Sequence, residues 1–191
     1  MKKPLVIAVT GASGAIYARR IVRFLLASEH EVHLTVSAAG RLVLKEELGA
    51  DDPWGDTGRE RLHVYHEKDF YAPFCSGSFR FGGMAVIPAS MGTVGAIASG
   101  AGTNIIHRGA DVALKERLPL TIVPRETPLS AIHLDNLKRL ADAGAMIVPP
   151  VPAFYQHPKT LDDLVDFVVS RVLDSLGIEN ELFRRWDGSH R

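Results

Sequence analysis

Short apolar runs alternate along this chain with longer segments whose apolar residues recur every three or four positions. Residues 5–10 form a continuous apolar run, which is typical of a strand buried on both faces. A glycine-rich turn follows, and apolar residues between Ala18 and Leu26 then recur at helical spacing. Because this alternation continues to the end of the chain, we expect a parallel sheet covered by helices, in one three-layer α/β domain.

The same patterns predict the remaining elements. The last predicted helix begins with a capping box formed by Thr160 and Asp163, and it carries an apolar stripe from Leu161 to Leu176. Segment 49–83 is the least regular and contains one short strand. Further strands are expected at 31–37, 63–66, 84–87, 120–123 and 145–148, and further helices at 40–48, 90–100 and 130–143. Residues 1–191 are therefore predicted to form one domain, with 178–191 as its C-terminal tail.

Composition excludes several classes of protein. The 22 basic residues balance the 22 acidic ones, so no basic field favours nucleic acid or an anionic membrane. No apolar run approaches the length of a bilayer span, and the first run is too short for a signal peptide. The single cysteine, Cys75, excludes an internal disulfide and fits a reducing compartment. We expect a soluble, cytoplasmic protein.

The first turn has the position of a phosphate-binding loop. Gly11, Ala12, Ser13 and Gly14 lie between a strand and a helix, where backbone N–H groups and the helix dipole attract anions. The dinucleotide fingerprint has a glycine where Ser13 stands, and an acidic residue after the second strand, where Ser37 stands. Both departures count against NAD.

Small hydroxyl residues follow several of the predicted strands. Ser13, Ser37, Ser90 and Thr93 should meet in one crevice, because the carboxyl ends of parallel strands lie at the same edge of the sheet. Hydroxyl groups beside helix N-termini suit the phosphate and polyol chain of FMN. The alternative, that the glycines only make a tight turn, remains open at this point.

A second cluster combines positive charge with one carboxylate. Arg108, Lys115 and Arg125 could converge on a phosphate, and Glu126 beside them could stay ionised or give a proton to a departing phosphate. The alternative is a solvated charged helix at 115–117 with a surface ion pair, which composition alone favours.

Two other groups have weaker claims. His63 and His66 lack the further ligands that a familiar metal site requires, so no metal is expected. Cys75 has no C-x-x-C partner, which favours a structural or incidental thiol over a nucleophile.

Motifs throughout the chain resemble the UbiX family of flavin prenyltransferases in order and spacing. They are TGASGAIY at 10–17, PASMGT at 88–93, HRGADV at 107–112, LKER at 114–117, PRETPL at 124–129 and PPVPAFY at 149–155. The resemblance implies a flavodoxin-like Rossmann fold. It also implies transfer of a dimethylallyl group from dimethylallyl phosphate to N5 and C6 of reduced FMN, with the prenylated FMN serving a UbiD-type decarboxylase.

The resemblance also implies roles for individual residues. Ser13 and Glu47 match a pair that handles protons near flavin N5, and Glu126 matches the residue that protonates the leaving phosphate. Trp186 matches an aromatic residue near the substrate. FMN contacts fall on Gly11, Ala12, Ser13, Ser37, Ser90, Met91, Gly92, Thr93 and Arg125, and prenyl-phosphate contacts on Arg108, Lys115, Arg125, Glu126, Tyr155 and Arg171. Ala89 and Gly92 depart from the residues that the family more often has.

Oligomerisation is expected on two grounds. The stretch 70–83 and the loop 149–158 would expose apolar surface on a lone subunit. The resemblance implies trimers assembled into a dodecamer, with active sites at subunit contacts.

Two rival functions share the same fold. A flavin-dependent cysteine decarboxylase would carry a P-x-M-N-x-x-M-W-like segment, which is absent here. A non-catalytic flavin carrier would have little use for the phosphate-binding cations.

Overall fold

A six-stranded parallel sheet forms the centre of the structure, a computed structural model that describes residues 2–186 and 188. The strands are β1 (Leu5–Val9), β2 (Val32–Val36), β3 (Leu62–His66), β4 (Gly83–Ala89), β5 (Leu120–Pro124) and β6 (Met146–Ile147). The helices are α1 (Ala15–Ala27), α2 (Ala38–Leu48), α3 (Met91–Ala98), α4 (Ile105–Lys115), α5 (Ala131–Asp142) and α6 (Leu161–Ser175).

The strand order, β3-β2-β1-β4-β5-β6, reverses between β1 and β4. After β1 the chain builds β2 and β3 on one side, and it then crosses to β4 on the other side. Ala8 of β1 accordingly pairs with Thr35 of β2 and with Val86 of β4. In an open parallel sheet, ligands bind beyond the carboxyl ends of the strands at this reversal, so the fold alone locates a crevice between β1 and β4.

Alternate residues of the strands supply two separate cores. In β1, Leu5, Ile7 and Val9 face α1, α2 and α6, whereas Val6 and Ala8 face α3, α4 and α5. All five residues of β1 are buried, as the continuous apolar run predicts. The three-layer α/β fold with a parallel sheet, of the flavodoxin-like Rossmann type, is confirmed.

One helix is missing from the predicted elements. Helix α4 buries Ile105, Ile106 and Val112 against the sheet, and the side chain of Asn104 accepts a hydrogen bond from the backbone N–H of His107 at 3.0 Å. The asparagine followed by two isoleucines is a start signal that the cluster of charges obscured.

The boundaries of the other elements agree with the prediction to within a few residues. In the last helix, one difference concerns burial. Its capping box is present, since Thr160 Oγ1 accepts from the N–H of Asp163 and the carboxylate of Asp163 accepts from the N–H of Thr160. Leu161, however, is 63% exposed, and the buried stripe of α6 begins only at Val165.

Segment 49–83 belongs to the core despite its irregular pattern, since Trp54, Phe74 and Phe81 are buried. Of the predicted tail, 178–186 and Gly188 are described, and the rest lies outside the described residues. Among helices in the described part of the chain, none has both the length and the apolar character needed to cross a bilayer.

Candidate functional site

Thr10 connects the two strands that border the crevice. Its hydroxyl donates to the carbonyl oxygen of Pro88 at 2.9 Å and accepts from the backbone N–H of Ser90 at 2.7 Å. Because Thr10 is buried, this bridge fixes the end of β1 relative to the end of β4. Sequence reasoning gave Thr10 no role, although a hydroxyl residue ending an otherwise apolar strand was a usable signal.

The turn after β1 packs closely against the start of α2. A Cβ atom on Gly11 would overlap the Cβ of Ala39, and one on Gly40 would lie 2.8 Å from the carbonyl oxygen of Val9. Gly14 has a left-handed conformation with φ of 115°. The turn therefore requires glycine for close approach and for backbone conformation, as the motif suggested.

Glu47, from the end of α2, occupies the N-terminus of α1. Its carboxylate accepts hydrogen bonds from the backbone N–H groups of Gly14 at 3.0 Å and Ala15 at 2.8 Å, and the neighbouring Ser13 side chain also stabilises its charge. Burial raises the pKa of Glu47, but these hydrogen bonds and the charge of Arg125 together bring that pKa below its ordinary value. Glu47 is therefore ionised at neutral pH and in contact with Ser13.

A second carboxylate lies at the start of α2. Glu67 Oε1 accepts from the backbone N–H of Ala38 at 3.1 Å. The first turn of α3 has no such group within residues 2–186 and 188. An anion entering the crevice would meet carboxylates at α1 and α2, so the N-terminus of α3 is the most favourable of the three for a phosphate.

The hydroxyls of the crevice keep donors available. Ser37 Oγ accepts from the N–H of Gly40 at 3.0 Å, and Ser90 Oγ accepts from the N–H of Thr93 at 3.4 Å. Ser90 also donates to Thr93 Oγ1 at 3.1 Å, so the Ser37 and Thr93 hydroxyl protons have no acceptor among the described residues. Beside them Met91 is buried, and a Cβ on Gly92 would meet open space.

Arg125 borders the same crevice from the end of β5. Its backbone N–H donates to the carbonyl oxygen of Ala89 at 3.1 Å. Its charge acts on Glu47 and on Tyr17, where burial raises the pKa of the phenol and Arg125 opposes that rise. Glu126, the next residue, is exposed and accepts from the N–H of Thr127 at 3.0 Å. Tyr17 is a further crevice residue to which sequence reasoning gave no role.

The two cations of α4 do not join this group within one chain. Arg108 donates to the carbonyl oxygen of Cys75 at 3.0 Å and pairs with Asp111 at 2.6 Å, while Lys115 pairs with Glu116. Only four residues separate the end of α4 from the start of β5. Lys115 therefore lies near the amino ends of the strands. Arg125 lies at the opposite end of β5, about 16 Å further along the strand.

Tyr155 and Arg171 lie at a third place, on the outer side of α6. The Tyr155 ring meets those of Phe167 and Trp186 edge to face, with centroids 6.4 Å apart in both pairs. Arg171 pairs with Asp174 at 3.1 Å. The predicted substrate contacts are thus distributed over three surfaces of one chain.

The weaker candidates do not form a site. His63 and His66 point to opposite faces of β3 because they are three residues apart on a strand, and His63 pairs with Glu31 at 3.1 Å. Between residues 2 and 186, no three acidic, histidine or cysteine side chains cluster as a metal site requires. Burial raises the pKa of Cys75 to about 11, so its thiol is protonated at neutral pH and unsuited to nucleophilic attack.

A crevice at the strand reversal, lined by hydroxyls, a free helix N-terminus and one arginine, defines a mononucleotide-binding α/β protein. The Glu47 carboxylate occupies the place where a dinucleotide-binding fold holds pyrophosphate, which adds a structural argument against NAD.

Comparison with known proteins narrows the class. The flavoprotein family model matches residues 1–173. Flavin prenyltransferase UbiX of Methanocaldococcus jannaschii is 46% identical over 182 residues, covering 95% of this chain and 97% of the relative. The structure of AnUbiX (PadA1) in complex with FMN and dimethylallyl pyrophosphate has a TM-score of 0.93 and 41% identity, and each chain covers 100% of the other. A dodecameric FMN-dependent UbiX-like decarboxylase from Escherichia coli O157:H7 has a TM-score of 0.88 and 41% identity, covering 98% of this chain and 100% of that chain.

This chain belongs to the UbiX family of flavin prenyltransferases, within the flavoproteins. The peptidyl-cysteine decarboxylase EpiD matches with a TM-score of 0.60 and 18% identity, a likeness of fold alone. The rival cysteine decarboxylase therefore gains no support beyond the shared architecture.

Proposed function

We propose that this chain is a flavin prenyltransferase that joins a dimethylallyl group from dimethylallyl phosphate to N5 and C6 of reduced FMN. The carrying observation is the full-length similarity to a structure that holds FMN and a dimethylallyl donor together. Residues 1–191 would act as one flavoprotein domain in the cytoplasm, and the prenylated FMN would pass to a UbiD-type decarboxylase.

FMN fits the crevice by the chemistry of its lining. Ser37, Ser90 and Thr93 would hold the phosphate and ribityl oxygens, with the α3 N-terminus and Arg125 supplying positive charge. The open space at Gly92 leaves room for the FMN phosphate at the N-terminus of α3. The contacts proposed for FMN are Gly11, Ala12, Ser13, Ser37, Ser90, Met91, Gly92, Thr93 and Arg125.

Ser13 and Glu47 are proposed to handle the proton at flavin N5. Reduced FMN supplies the nucleophilic nitrogen and the ring carbon to which the prenyl group is joined. An ionised Glu47 beside the Ser13 hydroxyl could receive a proton relayed through that hydroxyl.

Glu126 and the cations are proposed to act on the leaving group. The bond between the dimethylallyl carbon and the phosphate oxygen breaks with its electron pair going to phosphate, and Glu126, in its carboxylic acid form, gives that phosphate a proton and becomes a carboxylate. Arg125 would stabilise the charge through fixed hydrogen bonds. Four cations are available for this purpose (Arg108, Lys115, Arg125 and Arg171), with Tyr155 as a further contact, so a monophosphate could depart without a metal ion.

Because these cations lie on three surfaces of one chain, we propose that neighbouring copies complete the site. Trimers assembled into a dodecamer would supply Lys115 and Arg171 to a crevice formed by another copy. Tyr71 in segment 70–83 is 97% exposed, and Phe154 in loop 149–158 is 71% exposed. This exposure supports a role for both segments in subunit contacts.

The decisive experiment is anaerobic incubation of the protein with chemically reduced FMN and dimethylallyl phosphate, followed by mass analysis of the flavin. The expected product is prenylated FMN, formed equally well with EDTA present. Oxidised FMN is the matched control and should give no product. Unmodified FMN bound to the protein in every condition would indicate a flavin carrier. A parallel reaction with dimethylallyl diphosphate measures the preference between the two prenyl donors. Loss of turnover with EDTA would refute the metal-free scheme.

A further inference from the structure

One carboxylate on α6, that of Asp174, accepts hydrogen bonds from three side chains. Its Oδ2 accepts from Arg171 Nη1 and Arg185 Nη1, each at 3.1 Å. Its Oδ1 accepts from Arg185 Nη2 at 2.7 Å and from Asn180 Nδ2 at 3.0 Å. Arg171 and Asp174 belong to α6, whereas Asn180 and Arg185 belong to the C-terminal tail. Asp174 is therefore the point at which the tail and the Arg171 guanidinium meet.

The network is fixed to the buried side of the helix. Asn180, which is 9% exposed, accepts through Oδ1 from the hydroxyl of the fully buried Ser170 at 2.5 Å. Hydrogen bonding from Arg185 lowers the pKa of Asp174, so its carboxylate is charged at neutral pH. A charged carboxylate with four hydrogen bonds, one of them from a buried amide, is a rigid support for Arg171.

Aromatic side chains bring the tail to the same place. The Phe183 ring packs against Phe167 of α6 with centroids 5.1 Å apart, and the Arg185 guanidinium lies 6.0 Å from the Phe183 ring centre. Phe167 in turn contacts Tyr155, whose ring meets that of Trp186. The docked tail thus forms an aromatic surface beside Arg171.

We propose that Asp174 is a positioning residue that orients Arg171 for the phosphate of the prenyl donor and, through Arg185 and Asn180, fixes the C-terminal tail. This inference rests on the proposed function, in which Arg171 and Tyr155 contact that donor. Tyr155 and Trp186 then form the apolar part of a surface whose charged part is Arg171.

The charge balance is consistent with anion binding. The two guanidiniums of Arg171 and Arg185 share one carboxylate, which leaves a net positive charge on the group. A free arginine side chain loses rotamer entropy when it is held in one geometry. Because Asp174 holds Arg171 before the substrate arrives, part of that loss is removed from the binding step.

The test compares variants in steady-state prenylation, FMN titration and hydrogen exchange of residues 178–186. Arg171→Met should raise KM for dimethylallyl phosphate, and Asp174→Asn should raise it about tenfold. Neither change should alter FMN affinity. The double variant should be no worse than Arg171→Met alone, because Asp174 acts through Arg171. Asp142→Asn, which breaks the exposed pair with Lys138, is the matched control and should leave KM unchanged.

Arg185→Met separates the two roles of Asp174. It should speed exchange of the tail, as Asp174→Asn does, but it should raise KM less because the pair between Asp174 and Arg171 remains. If Asp174→Asn fails to bind FMN, the Arg185→Met variant provides the test. If the backbone amides of its tail exchange as slowly as in the unchanged protein, the proposal is overturned.

Three results separate failure of this inference from failure of the proposed function. An unchanged or lowered KM in Asp174→Asn, with a raised KM in Arg171→Met, overturns positioning by Asp174 and leaves the proposed function intact. An unchanged KM in Arg171→Met overturns both its assignment as a phosphate contact and the inference. Absence of prenylated FMN with the unchanged protein overturns the proposed function itself.

Discussion

Replacing Glu47 with glutamine is expected to weaken the fold and the reaction in ways that can be measured separately. The substitution keeps the side-chain shape but removes the charge that the N–H groups of Gly14 and Ala15 contact at 3.0 and 2.8 Å. It also places an amide donor against those donors or against the Ser13 hydroxyl. Glu47 thus acts as a long-range N-cap for α1, joined to it across 32 positions of sequence at Ala15.

The size of the effect follows from the exposure of the site. Loss of an N-cap costs about 0.5–2 kcal/mol, and an exposed charge at a helix N-terminus contributes about 0.3–1 kcal/mol. Because the Glu47 side chain reaches solvent, we take the lower part of these ranges, about 1 kcal/mol. For a chain of this size that corresponds to a fall of about 2–4 °C in Tm at pH 7.

The pH dependence gives a sharper test. The folded state lowers the pKa of Glu47, so its stabilising effect is complete above the unfolded-state pKa of about 4.3 and is lost as the pH falls through the folded pKa. The difference in Tm between the unchanged protein and Glu47→Gln should therefore be constant from pH 7 to about pH 5 and should narrow as the pH falls below about 4.3 through the folded pKa. Thermal melting across this range measures it.

Glu46→Gln is the matched control, because Glu46 is an exposed neighbour on the same helix. It should melt like the unchanged protein at every pH. In the prenylation assay, Glu47→Gln should still bind FMN but should turn over at least about a hundredfold more slowly, the usual contribution of a positioned proton acceptor. A melting temperature equal to that of Glu46→Gln at pH 7, or a gap that does not narrow as the pH falls below about 4.3, would refute this account of Glu47.

Three further predictions concern the crevice and the leaving group. Glu126→Gln and Lys115→Ala should each slow product formation roughly ten- to a hundredfold while FMN still binds, and full activity in Glu126→Gln would remove it from the acid role. Gly11→Ala should lower stability by about 1–3 kcal/mol and impair FMN binding, whereas Gly92→Ala should be tolerated by the fold; equal melting temperatures would contradict the close packing against Ala39. Titration should show flavin binding and no NAD binding, and tight NAD binding would contradict the role given to the Glu47 carboxylate.

The crevice could be located from sequence because its residues follow strands directly. Gly11, Ser37, Ser90 and Arg125 each come within two residues of a strand end, so a correct order of elements is sufficient to bring them together. Glu47 is different: it lies at the end of a helix, and only the tertiary packing of α2 brings it to the N-terminus of α1. No local pattern indicates that contact, and its role was available only through family resemblance.

Nearness in sequence was a poor guide to the second cluster. Only 18 residues span Arg108, Lys115 and Arg125. Helix α4, however, packs on the sheet and runs in the direction opposite to β5. The last turn of the helix consequently lies at the edge of the sheet opposite to the crevice. Had α4 been recognised from Asn104, this reversal would have followed from the connection rule for parallel strands.

The ion pairs of the proposed phosphate ligands bear on how one subunit could carry part of a site that a neighbouring subunit completes. Arg108, Lys115 and Arg171 each contact a carboxylate within three residues on their own helix or at its end. Arg125 has no ion pair among residues 2–186 and 188, and it alone of the four lies at the crevice. In the proposed assembly, these local partners would limit the charge repulsion between cations from different subunits, and they would hold the side chains in defined positions. Because the exposed pairs of Arg108 and Lys115 are weak, about 0–1 kcal/mol, a phosphate brought between subunits would compete for these two cations at little cost, whereas Arg171 stays held by Asp174.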